Sequence, residues 1–393
     1  MKNAHKRWGA GLSVVLAAGA GLAMATPMAA SAAPHPARAC TIAPRVGHIA
    51  GIMPAIGKGR ICQTARRSRS AGATRAHTFS NPALGTPPLV FHHGPVMMTP
   101  TTSPLVITPI FWNPTGFTMA SSYKSLITTY LSSVAAASGQ TSNVYSVLNE
   151  YSGTNGQIHY KVTAGTAIND TGALPKSGCT VASNDKTGIY ADGTGYKACL
   201  DDAQLQAKIN AVTKAKGLPH DLSHIYVLYL PKHVESCINP GSTLTSSNAC
   251  TINHQPSAAY CAYHSDATSK AIYANLPFPI YKSGTGFTCG SDAKLPAIES
   301  PNNNPDGDTV INPTSHEVSE AITDPDTATG WFDSSGFEIG DECNFVYGAT
   351  SGTAGHLFNQ TINGHHFLTQ EEFSNKDFAI TAKGCVQSAS AEA

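Results

Sequence analysis

Between Lys294 and Lys376 the chain carries no lysine or arginine, yet eleven carboxylates lie between Glu299 and Glu342. Like charges at this density repel unless they are solvated, protonated or neutralised by another ion. The segment must therefore stay wet on a surface or fold around a cation. The pattern at its centre favours the cation. Asn312 suits a helix N-cap and Pro313 a first helical position, while Pro325 disfavours helix at Asp324. A helix of about three turns is expected. At about 100° per residue, His316 and Glu320 fall about 40° apart on one face and about 6 Å apart along the axis. An imidazole and a carboxylate at that spacing reach one ion, as the two imidazoles of an HExxH zinc helix do. Glu317 flanks that face and Asp324 continues it. Val318 and Ile322 point to the other side and anchor the helix in a core.

A zinc site that does chemistry needs three protein ligands and one open position. The stretch Gly330–Cys343 supplies carboxylates one short connection after the helix, with Glu338 the first choice for the third ligand and Asp341 the second. Glu317 is then placed to act as general base on a water whose pKa a zinc ion lowers toward roughly 7. Two other readings stay open. A calcium loop built from Asp333, Glu338 and Asp341 would use oxygen ligands alone, which leaves His316 unexplained. A solvated acidic loop needs no metal. Tyr347, His365 or His366 are candidates to stabilise an oxyanion. His254, His264, His356, His365 and His366 could approach such a site, but each reads first as a surface or hydrogen-bonded core histidine.

The start of the chain has the pattern of an export signal. Lys2, Lys6 and Arg7 precede an uncharged Ala-, Val- and Leu-rich run over Gly9–Ala25, and Ala30-Ser31-Ala32 offers small residues for cleavage. A signal peptide over residues 1–32 is expected, with no membrane span in the remainder. Ten cysteines in an exported chain read as disulfides. The expected pairs are Cys179–Cys199, Cys237–Cys250, Cys261–Cys289 and Cys343–Cys385, with Cys40–Cys62 apart from the rest. No CxxC occurs, which argues against a cysteine zinc knuckle.

Zero net charge hides a division. Residues 1–149 hold twelve Lys or Arg and no carboxylate; residues 150–393 hold all 25 carboxylates, thirteen Lys and no Arg. An acidic body without arginine argues against nucleic-acid binding and against arginine forks for phosphate. Residues 33–85 carry eight basic residues and no acid, with few periodic apolar positions. They read as a poorly ordered basic arm or propeptide, either masking the acidic body by charge or serving as a solvated linker, with Arg66-Arg67 a candidate cleavage point.

Order is expected from near Pro87, giving a single domain over residues 86–393. Leu89–Phe91, Leu105–Trp112, Ile158–Val162, His224–Leu230, Ala258–Tyr263 and Ala271–Leu276 read as strands. Ser121–Ala137, Val144–Tyr151 and Asp201–Lys216 read as helices, the last capped by Asp201 and stopped by Gly217. Helices that alternate with strands imply an α/β fold, or α+β, with a mixed β-sheet covered by helices and a zincin-like active-site helix. No GxSxG elbow is present, and the nearest P-loop lookalike, Gly51–Gly59, has the wrong spacing.

A series of short motifs resembles the Exordium-like, phosphate-induced extracellular proteins, and their bacterial and oomycete relatives most closely. It runs from Phe91-His92-His93-Gly94-Pro95-Val96 through His224-Ile225-Tyr226-Val227-Leu228 and Pro301-Asn302 to His316-Glu317-Val318-Ser319-Glu320. It closes with Thr323-Asp324-Pro325, Trp331, Glu338 to Cys343, Tyr347-Gly348 and Asn363 to Gln370. The resemblance covers most of residues 88–375 and implies an extracellular or cell-wall protein without fixing an activity. The combined expectation is a secreted, monomeric zinc hydrolase, in first place a metallopeptidase, acting on an extracellular peptide or cell-wall substrate. His316, Glu320 and Glu338 would hold zinc, Glu317 would be the catalytic base, and Asp341 and Asp324 would ligate or support. The rival expectation is a non-enzymatic extracellular protein with a structural metal.

Overall fold

A computed structural model describes residues 49–57, 87–176, 178–238, 249–252, 259–281, 287–327 and 329–389. The expected signal peptide, the Cys40–Cys62 pair and His254 lie outside the described residues.

The frame is a seven-stranded mixed sheet. Its strands are β1 (Ile49–Pro54), β2 (Leu105–Trp112), β3 (Val162–Ala164), β4 (Ile168–Asp170), β5 (His224–Tyr229), β6 (Tyr260–Asp266) and β7 (Ile272–Leu276). The order is β1-β6-β7-β5-β2-β3, with β4 also paired to β2. Strands β2, β3, β4, β5 and β7 run parallel, while β6 is antiparallel to β7 and β1 antiparallel to β6. Helices cover both faces, as a sheet buried on both sides requires. The period of two along a strand assigns the faces. Ile225, Val227 and Tyr229 join the core under helices α1 (Ser121–Ala136) and α3 (Pro305–Thr323). Tyr226 and Leu228 join the opposite core with Leu205, Ile209 and Val212 of α2 (Asp202–Lys216).

Helix α2 matches its sequence pattern at both ends. Asp201 and Gln204 form a reciprocal capping box, and Gly217 closes the helix at φ 64°. Residues Val144–Glu150 form a 3₁₀-helix, and the strand expected from Ile158 begins at Val162. The four expected disulfides within the described residues are all present. No helix among the described residues is long and apolar enough to cross a membrane.

Two departures bear on the site. First, α3 starts about two turns earlier than Asn312-Pro313 indicates, at Asn304-Pro305. Both dipeptides have the same cap chemistry. The upstream one acts as the cap, with the Asn304 side chain accepting from Gly307 N at 3.2 Å, and Asp306 and Asp308 complement the helix dipole in the first turn. Pro313 is carried inside the helix, and the Asn312 side chain is used elsewhere. Second, the expectation of poor order across residues 33–85 does not hold for residues 49–57. Ile49–Pro54 is the edge strand of the main sheet, fully buried along its length, and Ile56–Gly57 pairs with Phe287–Thr288.

Candidate metal centre

Helix α3 crosses the face of the sheet behind β6 and β7, with Gly307–Thr323 buried throughout. It ends at Asp324, as Pro325 requires. Near its C-terminal end it presents His316, Glu317 and Glu320 to a space with no solvent exposure. His264, His316, Glu317, Glu320 and Glu338 are each 0% exposed. The Asp341 side chain is 1% exposed, although its backbone is partly accessible.

Two sets of donor atoms converge, and Glu320 belongs to both: His316 with Glu320 and Asp341, and His264 with Glu317 and Glu320. His316 Nε2 lies 3.1 Å from Glu320 Oε1 and 3.7 Å from Asp341 Oδ1. His264 Nδ1 lies 3.5 Å from Glu317 Oε2 and 3.7 Å from Glu320 Oε2. Ligands about 2.1 Å from a tetrahedral ion are separated by about 3.4 Å, so these spacings suit donors around a common cation. The hydrogen-bond inventory points the same way. Neither nitrogen of His316 and neither oxygen of Glu317 has a hydrogen bond, and Glu320 Oε2 and Asp341 Oδ1 have none. Buried polar atoms are normally satisfied, and a divalent cation would satisfy this group together.

The surroundings aim these side chains. His264 Nε2 lies 3.3 Å from the Asp324 carbonyl, which as acceptor would leave the Nδ1 lone pair facing Glu317 and Glu320. Asp341 N donates to Glu320 Oε1 at 2.9 Å, and Glu338 N donates to Asp341 Oδ2 at 3.2 Å. Gln370 links the helix to the turn: its N donates to Asn312 Oδ1 at 2.6 Å and its Nε2 to the Gly340 carbonyl at 2.7 Å. Cys343–Cys385 anchors the same turn. Gly340 is required by close approach. A Cβ there would meet His316 Nδ1 at 2.8 Å and Glu320 Oε1 at 3.0 Å. If a divalent cation is held here, Gly340→Ala should weaken its binding by at least about tenfold, the scale of changes to groups that support metal ligands, as measured by competition with a chelator. Unchanged affinity would show that Gly340 does not shape the donor set.

Electrostatics follow from burial without cations. Burial, followed by the charges of Glu320, Asp341, Glu338 and Glu372, pushes the Glu317 carboxyl well up. Burial and Glu320 raise Asp341 and Glu372 in the same way. Burial alone would lower the His316 pKa, but Glu320 and Asp341 outweigh it and raise the imidazole above its usual value. Glu320 is also buried, yet the imidazoles on either side hold its carboxyl down to about 2.

The sequence-derived candidates are thus partly brought together. His316, Glu317 and Glu320 meet, and Asp341 stands against His316. Glu338 lies across His264 from the donor sets, with its Oε2 3.8 Å from His264 Nε2. Asp324 contributes its backbone carbonyl to His264. Asp333 turns the loop, its Oδ1 accepting from Ser335 N and Phe337 N at 2.7 and 2.9 Å. Tyr347 packs with Met53, Cys261 and Leu368. His365 and His366 are exposed on a hairpin, His366 stacked on Phe358. The residue the sequence reading underweighted was His264, read first as a core or surface histidine. Its signal was the strand period, which places it on the opposite face from Tyr263 and so toward α3. Searches of family models, curated proteins and solved structures find no match to this chain.

Proposed function

We propose that the chain is a secreted zinc-dependent hydrolase that cleaves peptide bonds. The observation that supports this reading best is the convergence of two imidazoles and several carboxylates at ligand spacing, where both nitrogens of His316, both oxygens of Glu317, Glu320 Oε2 and Asp341 Oδ1 are buried without a hydrogen bond. His316, Glu320 and Asp341 would hold the ion, with His264 beside them. When bound, zinc supplies a Lewis acid that polarises a carbonyl and makes water acidic. Glu317 takes the proton of the attacking water and returns it to the leaving amine; its raised pKa suits a group that must hold a proton between the two events. The export-like N-terminus, the four disulfides and the resemblance to Exordium-like proteins support an extracellular setting. Complete burial of the cluster favours a second reading, a closed structural metal site in a non-enzymatic extracellular protein.

Metal analysis of the purified chain decides the first step. About one equivalent of zinc is expected, in line with the single-ion sites typical of this chemistry, and His316→Ala should lose it. Calcium alone would favour the structural reading. A pH dependence follows from the raised pKa values. In the metal-free cluster burial and the neighbouring carboxylates shift Glu317 and Asp341 toward their protonated forms, and Glu320 shifts His316 the same way, so an incoming ion competes with protons on its ligands. Zinc affinity should therefore rise with pH, and calorimetry in buffers of different ionisation enthalpy should report proton release. A heat of binding independent of the buffer would contradict this.

A further inference from the structure

Strand β1 crosses the candidate centre in a way that no sheet edge needs. Its register on β6 pairs Ile49 with Ser265 and Ala50 with His264, then slips before Met53 pairs with Ala262. The slip leaves Gly51 and Ile52 opposite Tyr263 as a bulge, with Gly51 at φ 53°. At that point the backbone presses on the donor atoms. A Cβ on Gly51 would lie 1.9 Å from Glu320 Oε2 and 2.5 Å from His264 Nδ1. Both the contact and the positive φ restrict the position to glycine. On either side Ile49 and Ile52 pack into the α2-side core, and Met53, Ala55 and Ile56 pack beside Cys261 and Tyr347. Among the described residues the sheet ends at β1, so β6 would be its edge there if residues 49–57 left. An uncovered edge strand is a template for another extended chain.

We propose that residues 49–57 occupy the substrate groove of this centre. The groove is the β6 edge, and the class of substrate it takes is an extended aliphatic peptide, antiparallel to β6, with glycine opposite Glu320. The segment is then a built-in pseudosubstrate that keeps the site closed until the arm is displaced or cut. The proposal rests on the metallohydrolase reading for its chemistry. The groove itself rests on the β1–β6 register and the Gly51 contact. It also accounts for a site of this chemistry being wholly buried.

The test uses the full chain carrying Glu317→Gln, to prevent turnover, and a fluorescent peptide with the sequence of residues 47–59. In the intact chain the groove is filled and little binding is expected. Adding Gly51→Val should expel β1 and raise peptide affinity at least tenfold, and the same peptide with valine at that position should not compete. The Glu317→Gln chain nicked with trypsin between Lys58 and Arg75 provides a second arm that does not depend on the folding of Gly51→Val. It should exchange its own segment for the labelled peptide. Failure of the nicked chain, still folded by its thermal transition, to take up peptide overturns the proposal. So does equal binding to the intact and Gly51→Val chains. If peptide enters but metal is absent, the groove stands and the metallohydrolase reading falls. If zinc binds and peptide does not enter, the groove falls and the metal centre stands.

Discussion

Glu317→Gln should leave the fold and zinc content intact while lowering peptide hydrolysis by about 10²–10⁴-fold, the usual contribution of a positioned general base. The comparison is made on wild-type and variant chains nicked in the arm, so that the groove is open in both. Glutamine preserves size and polarity but cannot take a proton. Neither Glu317 oxygen has a hydrogen bond, so the substitution breaks none. Its stability effect has a definite sign. Burial and neighbouring carboxylates raise the Glu317 pKa in the folded state. An acid so shifted binds more protons folded than unfolded, so it destabilises the fold increasingly as pH rises above the unfolded value of about 4.3. Glutamine removes that cost, and the metal-free variant should melt higher than metal-free wild type at pH 7. Loss of activity with a gain in stability would identify Glu317 as a group retained for chemistry. Loss of zinc in the variant would make Glu317 a ligand through its contact with His264, and the base would have to be sought elsewhere.

Much of the site was legible because it lies on one helix. The i, i+4 spacing of His316 and Glu320 depends only on helical geometry, so it survived an error in where the helix begins. Asn304-Pro305 and Asn312-Pro313 look alike locally, and the choice between them is tertiary: the Asn312 side chain is engaged by Gln370 from a distant segment. The same limit hid His264. The strand period sets the face it takes, but only the antiparallel pairing of β6 with β7 carries it beneath α3. Asp341 and Glu338 are three residues apart, and the direction of one turn decides which reaches His316. Residues 49–57 were misread for a related reason. Their composition is that of a loose, Gly- and Pro-containing arm, and their order comes from pairing with β6, more than two hundred residues away in the chain.

Glu320→Gln should have the largest effect on metal of any single change at the centre, because the two oxygens of Glu320 serve both imidazoles. Oε1 faces His316 Nε2 at 3.1 Å and accepts from Asp341 N at 2.9 Å, while Oε2 faces His264 Nδ1 at 3.7 Å. Glutamine can still accept from Asp341 N but brings no charge, so the donor sets lose their shared anion. Zinc affinity should fall by more than roughly 100-fold, the upper range seen when a group supporting a metal ligand is changed, and Asp333→Asn, a change in the loop turn, should leave it unaltered. In the metal-free chain the variant should also be less stable, since removing one partner of a buried ion pair typically costs about 3–5 kcal/mol. The pH dependence follows from the depressed pKa. Glu320 titrates at about 2 in the folded chain, below an unfolded value of about 4.3, so its stabilisation is fully present above the unfolded value and is lost as pH falls toward 2. The difference in unfolding free energy between wild type and variant should therefore be largest near neutrality and narrow below about pH 4. Thermal or urea unfolding of both metal-free chains across that range measures it. A constant difference across the range, or wild-type zinc affinity in Glu320→Gln, would show that Glu320 is not the anion on which the centre is built.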